Sequence, residues 1–198
     1  MMMEIFGVKL VILKSVYPPS DDSYLLVREM VINKGDVVLE VCAGTGIASV
    51  VAASRGAREV VSIDVNPEAA LNIAINAVLN GYEDRIHPIC ADLTSPLRPN
   101  FTYDVILINP PYLPVEDKVD EALWWSAGVD GRKIIDRFLS NVKDYVKENS
   151  RVYLVQSSLS NVEKTISYFS KMGFETRIKG LVHKFFEDIV VVEAVYSG

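Results

Sequence analysis

The sequence predicts an α/β protein on one doubly wound, mostly parallel sheet of seven strands, the last of them antiparallel. Three observations predict it. From Asp36 onward, short β-branched runs alternate with segments of helical pattern. The first run, residues 37–41, is apolar except for Glu40, as a strand covered on both faces requires. A glycine-rich turn follows it and leads directly into a helical segment of small residues.

The elements follow in order. Strand 37–41 is succeeded by a helix from Ile47 to Arg55 and a second strand from Glu59 to Ile63. Asn66-Pro67-Glu68 is a helix start, with an N-capping asparagine, a first-turn proline and an acid at the positive end of the dipole. Leu71, Ala74, Ile75 and Val78 recur at helical spacing before Gly81. Ile86 to Ala91 and Asp104 to Ile108 are the third and fourth strands. Ile135, Phe138, Leu139, Val142 and Val146 mark an amphipathic helix, and Arg151 to Val155 a strand. Ser160 with Glu163 reads as a capping box for the helix that buries Val162, Ile166 and Phe169. Phe174 to Ile178 and Ile189 to Val195 close the sheet as antiparallel neighbours. The 198 residues suit a single domain, with residues 1–30 as an extension lying over the first strand–helix unit.

Composition narrows the function. Hydrophobic residues at 49% supply a core and exclude global disorder. Twenty basic residues against 26 acidic ones leave a net charge of −6, which disfavours sequence-blind binding to nucleic acid. Cys42 and Cys90 are too few for a disulfide scaffold, and no CxxC pair suggests zinc; both read as small buried residues. His87 and His183 stand apart and read as surface or structural residues, so no metal is expected. Phe101 and the tyrosines at 103, 145, 153 and 168 read as core. The N-terminal apolar run is broken by Lys9, and no stretch reaches the ~18 apolar residues of a membrane span, so the expected location is cytoplasmic.

Ligands of such sheets sit beyond the carboxyl ends of the strands. After the first strand come Ala43, Gly44 and Gly46, where backbone can approach a ligand closely. After the second comes Asp64, a carboxylate suited to a ribose diol. Asp92-Leu93 follows the third strand, placed to accept from an adenine amino group. After the fourth comes Asn109-Pro110-Pro111-Tyr112. The Asn109 amide oxygen and the Pro110 carbonyl suit the two hydrogens of a planar NH₂, and Tyr112 offers a face for stacking. Taken singly, the glycines also fit a tight turn, Asp64 a turn into the next helix and Asp92 a loop acid. Their succession after four consecutive strands favours a site.

These motifs resemble those of class I S-adenosylmethionine-dependent methyltransferases, and within them the HemK/PrmC-like glutamine N5-methyltransferases. Val16-Tyr17-Pro18-Pro19-Ser20-Asp21-Asp22-Ser23 is similar to a segment of the short branch that modifies eukaryotic and archaeal release factors. Trp125 to Arg132 is similar to that branch's tryptophan-glycine loop. The resemblance spans roughly residues 16–196 and departs at Cys42, where the family usually has glycine. It implies S-adenosylmethionine as cofactor, with Glu40 near its ammonium and Tyr17 and Ser23 closing over it. The implied substrate is the glutamine of a Gly-Gly-Gln loop in a release factor. The implied partner is a small zinc-ribbon activator that pairs with the sheet edge at Arg85–Ile89, near Ile86 and Ile89. Asn-Pro-Pro-Tyr also serves adenine N6-methyltransferases, and a lysine methyltransferase shares the fold. A nicotinamide-dependent oxidoreductase is weaker, because Gly-Thr-Gly-Ile-Ala-Ser lacks a third glycine and Asn-Pro-Pro-Tyr is left unexplained.

Overall fold

A computed structural model describes residues 2–114 and 127–198. The chain opens with a hairpin, β1 (Met2–Ile5) and β2 (Val8–Val11), followed by helix α1 (Asp21–Glu29). Then come β3 (Val37–Val41), α2 (Ile47–Ser54), β4 (Glu59–Asp64), α3 (Pro67–Leu79), β5 (Ile86–Cys90) and β6 (Tyr103–Ile108). The second half holds α4 (Lys133–Leu139), β7 (Val146–Ser157), α5 (Val162–Lys171), β8 (Phe174–His183) and β9 (Asp188–Tyr196).

Seven strands form one sheet in the order β5-β4-β3-β6-β7-β9-β8. β5 through β7 pair in parallel, and only β9 runs antiparallel, against both β7 and β8. The chain builds outward from β3 to β5 and then returns to β6 on the other side of β3. This reversal opens a crevice at the carboxyl ends of β3 and β6. All five residues of β3 are buried, Glu40 among them.

The helical spacing of Leu71 and Val78 is not the buried face of α3. They are 55% and 62% exposed, while Asn72, Ile73 and Asn76 are fully buried. The reason lies in the N-terminal segment. Asn80, Asn76 and Asn72 accept through Oδ1 from the backbone N–H groups of Lys9, Val11 and Leu13 at 2.9, 2.7 and 2.9 Å. Their Nδ2 groups donate to the carbonyls of Lys9 and Val11. One helical turn advances about 6 Å per four residues and a strand nearly 7 Å per two, so the two repeats run in step. The asparagines thus act as a neighbouring strand for residues 9–13.

Other departures have local causes. The β1–β2 hairpin turns at Phe6-Gly7, both at positive φ, and lacks the Asn-Gly signature that marks such turns in a sequence. The amphipathic stretch at 135–146 breaks into α4 and a 3-10 turn at Val142–Tyr145 before β7 starts. The cap of α5 is Asn161, whose Oδ1 accepts from Lys164 N at 2.9 Å, while Ser160 donates to Ser157 O instead. Phe101 and Tyr168 are exposed rather than core, and Cys90 lies exposed at the end of the edge strand. Ile86, expected at the outer edge of the sheet, points into the core at 2% exposure. No helix among the described residues is long and apolar enough to cross a membrane.

Candidate active site

A cavity of about 640 Å³ occupies the crevice. Tyr17, Ser23, Glu40, Ala43, Gly44, Asp64, Asp92, Leu93 and the whole of Asn109–Tyr112 line it. Gly46 does not. It caps α2 at φ 74°, and a Cβ there would press on Ile73 at 3.0 Å, so its smallness serves helix packing.

The turn after β3 is wound left-handed. Cys42 and Gly44 have φ of 57° and 54°. Cys42 therefore keeps the conformation that glycine adopts freely, with the strain of a side chain in that region. Burial and the nearby carboxylates push its thiol well above the ordinary range, so it stays protonated. A Cβ on Gly44 would meet nothing nearer than Tyr17 O at 4.0 Å, so bare backbone faces open space there.

Two carboxylates flank that turn. Glu40 accepts through Oε2 from Ser49 N at 2.9 Å and from Ser49 Oγ, at the start of α2. Burial pushes its carboxyl up to about 7, against the pull of the Ser49 bonds. Asp64 accepts from Gly44 N at 2.8 Å and Asn66 N at 2.9 Å, one bond to each oxygen. Each oxygen retains a second lone pair for a hydroxyl donor. Its carboxyl is raised by burial, against those backbone bonds. Asp92 is more exposed, and its Oδ2 is held by Arg137 at 2.6 Å.

Asn109 closes the other wall. Its Nδ2 donates to Asp22 Oδ2 at 3.1 Å, and Tyr112 OH donates to the same oxygen at 3.2 Å. Asp22 Oδ1 accepts from Ser23 N at 2.7 Å and from Ser23 Oγ at 3.2 Å. The Asn109 Oδ1 is buried and has no hydrogen-bond partner. Asn109 lines the cavity, and its orphaned amide oxygen is an acceptor in want of a donor N–H.

Several site residues escaped the sequence reading. Asp22 is only 4% exposed and joins α1 to the Asn109–Tyr112 turn; it stood in the segment quoted above but drew no role. Lys133 and Arg137, one turn apart on α4, also line the cavity, and no local signal marks them. Gly131 packs so tightly that a Cβ would stand 2.2 Å from Tyr112 O. Arg132, 2% exposed, ties this loop to the start of α5 through Ser160 O at 2.5 Å and Asn161 O at 2.8 Å. Trp125 and Ser126, the opening of the tryptophan-glycine loop, lie outside the described residues. No group of three or more His, Cys, Asp or Glu among the described residues is arranged to hold a metal ion.

The TRM5/TYW2 methyltransferase domain family matches residues 24–125. A Methanocaldococcus jannaschii protein, provisionally named a protein N5-glutamine methyltransferase, is 38% identical over 200 residues, covering 98% of each chain. The Mtq2-Trm112 complex of E. cuniculi, described as responsible for methylation of the eRF1 translation termination factor, has a TM-score of 0.71. The identity there is 24%, over 92% of this chain and 99% of that one. The T. thermophilus 16S rRNA N2 G1207 methyltransferase RsmC, solved with AdoMet and guanosine, has a TM-score of 0.77 at 18% identity, over 99% of this chain and 50% of that one. Fold and motifs define a class I S-adenosylmethionine-dependent methyltransferase. Within that class, the chain belongs to the HemK-like family of protein N5-glutamine methyltransferases.

Proposed function

We propose that this chain methylates the side-chain amide nitrogen of the glutamine in the Gly-Gly-Gln loop of a translation release factor. The observation that carries the reading is the buried, unpartnered Oδ1 of Asn109 beside the cavity. The name of the M. jannaschii relative and the description of the Mtq2-Trm112 complex support that substrate. The net charge of −6 opposes a nucleic-acid one. A cytoplasmic location fits a translation factor as substrate.

The donor set fits the cofactor. Asp64 offers its free lone pairs to the ribose diol, Gly44 its bare backbone and Glu40 a carboxylate to the ammonium. Asp92, with Oδ2 tied to Arg137, keeps Oδ1 for the adenine amino group, and Leu93 packs on the ring. Tyr17 and Ser23 cover the site from the N-terminal extension, residues 1–30, which belongs with the rest of the chain to a single domain. S-adenosylmethionine, when bound, supplies a methyl group on an electrophilic sulfonium.

The remaining chemistry falls to the protein. An amide nitrogen is a poor nucleophile, because its lone pair is spread into the carbonyl. Asn109 Oδ1 accepts one N–H of the target and the Pro110 carbonyl accepts the other. Pro111 fixes the turn that presents both, and Tyr112 flanks the target plane. Two such bonds localise the lone pair and aim it at the methyl carbon. One of the two held protons then leaves the methylated nitrogen to solvent.

The test is to incubate the chain with labelled methyl donor and its cognate release factor, and to map the methyl group by mass spectrometry. Label on the Gly-Gly-Gln glutamine is the expected result. Asn-Pro-Pro-Tyr is equally shaped for an adenine amino group, so RNA and DNA offered in parallel, or label on lysine, would reveal the other targets of this fold.

A small zinc-ribbon activator is proposed for the β5 edge. Ala91 N donates to Asp64 O and Val60 N to Arg85 O, so the odd-numbered residues of this segment face β4. The even-numbered ones face outward, Pro88 among them, and the missing N–H falls where an edge tolerates it. The exposed Leu71 and Val78 of α3, which packs on β5, extend an apolar surface beside that edge. Because Ile86 is core, Val78→Asp is the informative change. It should abolish co-purification with the activator and leave the fold intact; unchanged co-purification would remove this surface.

A further inference from the structure

The tip of the β8–β9 hairpin carries two adjacent phenylalanines, Phe185 and Phe186, exposed at 92% and 85%. Hairpin tips favour glycine, asparagine and aspartate, and nothing in turn geometry asks for aromatic rings. Single exposed apolar residues are ordinary, but two large rings side by side on a protruding turn present a contiguous apolar patch. The rings are packed against each other edge to face, with centroids 4.6 Å apart at 83°.

The tip is held in place. Lys184 N donates to Glu187 O at 2.8 Å and closes the turn. The Lys184 ammonium pairs with Asp21, the residue next to Asp22. Asp188 N donates to Ser158 Oγ at 3.0 Å, just past the end of β7.

Sheet topology fixes which way it points. β8 runs parallel to the central strands, so its end lies at their carboxyl side. β9 runs against them, so its start lies there too. The tip therefore shares the edge of the sheet that holds the cavity. Glu187 is close enough to Tyr112 to help raise its hydroxyl pKa.

We propose that Phe185 and Phe186 are a docking anchor for the folded protein substrate. The inference rests on the reading given under Proposed function. The glutamine loop enters the cavity, and an apolar recess on the body of the substrate, beside that loop, receives the two rings. Position carries the choice of occupant: an exposed aromatic pair on the same edge of the sheet as a site for a protein loop meets the protein that brings the loop. Buried aromatic anchors of this kind dominate protein–protein affinity.

The test compares the parent chain with F185S/F186S, using the full-length release factor and a short synthetic Gly-Gly-Gln peptide. The double variant should raise KM for the factor at least about tenfold and leave kcat within about twofold. KM for the peptide and affinity for S-adenosylmethionine should not change, and F185L/F186L should recover most of the loss. An unchanged KM for the factor overturns the proposal. Equal losses on factor and peptide also overturn it, because the rings would then serve the fold or the cavity. So does a parent chain that sediments as a dimer while the variant is a monomer, since a second copy would be the occupant. A parent chain inactive on both substrates even with the activator present refutes the release-factor reading itself, and that result is read without any variant.

Discussion

Asp22 Oδ2 accepts from Asn109 Nδ2 at 3.1 Å, and this contact decides which end of the Asn109 amide is left for the cavity. An amide can turn over by exchanging its oxygen and nitrogen. With the Asp22 carboxylate beside Nδ2, the orientation that leaves Oδ1 unpaired is the one that avoids setting acceptor against acceptor.

Asp22→Ala should therefore behave as a loss of orientation. The amide is no longer sorted, and the target meets a mixture of acceptor and donor. Methyl transfer should fall about 10²-fold in single-turnover measurements, near 3 kcal/mol of transition-state stabilisation. Affinity for S-adenosylmethionine should change less than about threefold. A large loss of cofactor affinity with transfer intact would assign Asp22 to the cofactor instead.

Asp64→Ala should weaken S-adenosylmethionine binding at least about tenfold, since bonds to a charged acceptor are worth ~1.5–3 kcal/mol. The residue also holds Gly44 N and Asn66 N, so its loss slackens the turn as well. Calorimetry on Asp64→Asn separates the effects, because asparagine keeps an acceptor but can bond only one of the two backbone groups through it. Unchanged affinity in both variants removes Asp64 from the ribose site.

Glu40 makes the free protein sensitive to pH. Its carboxyl is pushed from an ordinary 4.5 up to about 7. Between those values the folded state holds a proton that the unfolded state has lost. Stability therefore falls as pH rises from about 4.5 to about 7 and is flat above, by an amount on the order of 3 kcal/mol. Denaturant titrations should show this slope in the parent chain and not in Glu40→Gln. Binding the ammonium requires the ionised form, so cofactor affinity should weaken as pH drops below about 7. A Glu40→Gln protein with the parent's pH slope would show that another group is responsible.

Asn76→Ala should destabilise the fold by about 2–4 kcal/mol, because several buried backbone groups lose their partner at once. Asn76 accepts from Val11 N and donates to Val11 O and Thr45 O. Thr45 lies in the cofactor turn, so binding should weaken too. Hydrogen exchange should become faster at residues 9–13, and protection equal to the parent's would contradict the asparagine ladder.

Much of this was legible in the sequence. The strands of the sheet announce themselves because burial on both faces demands runs such as 37–41, and Asn66-Pro67-Glu68 marks a helix start because cap, first-turn proline and acid coincide there. The Asn109–Tyr112 turn was legible because two prolines after a buried strand leave few other structures. What escaped depends on partners distant in the chain. The asparagines of α3 look like breaks in an apolar stripe until residues 9–13 lie beside them. Asp22 looks like one of two first-turn acids, since nothing local says that it faces Asn109, 87 positions on. Ile86 looked like an edge residue because alternation along a strand does not tell which face is covered.

The most direct measurement is single-turnover methylation of the release factor by Asn109→Ala, alongside calorimetry of S-adenosylmethionine and thermal unfolding. Asn109 stands at a strand end and contributes one bond to Asp22, so truncation opens no deep cavity. The melting temperature should be nearly unchanged and cofactor affinity only modestly lower. Methyl transfer should fall at least ~10²-fold, as expected for one lost transition-state contact of ~3 kcal/mol. A rate near that of the parent chain would mean that the Asn109–Tyr112 turn only ends a strand, and that the target amide is held elsewhere.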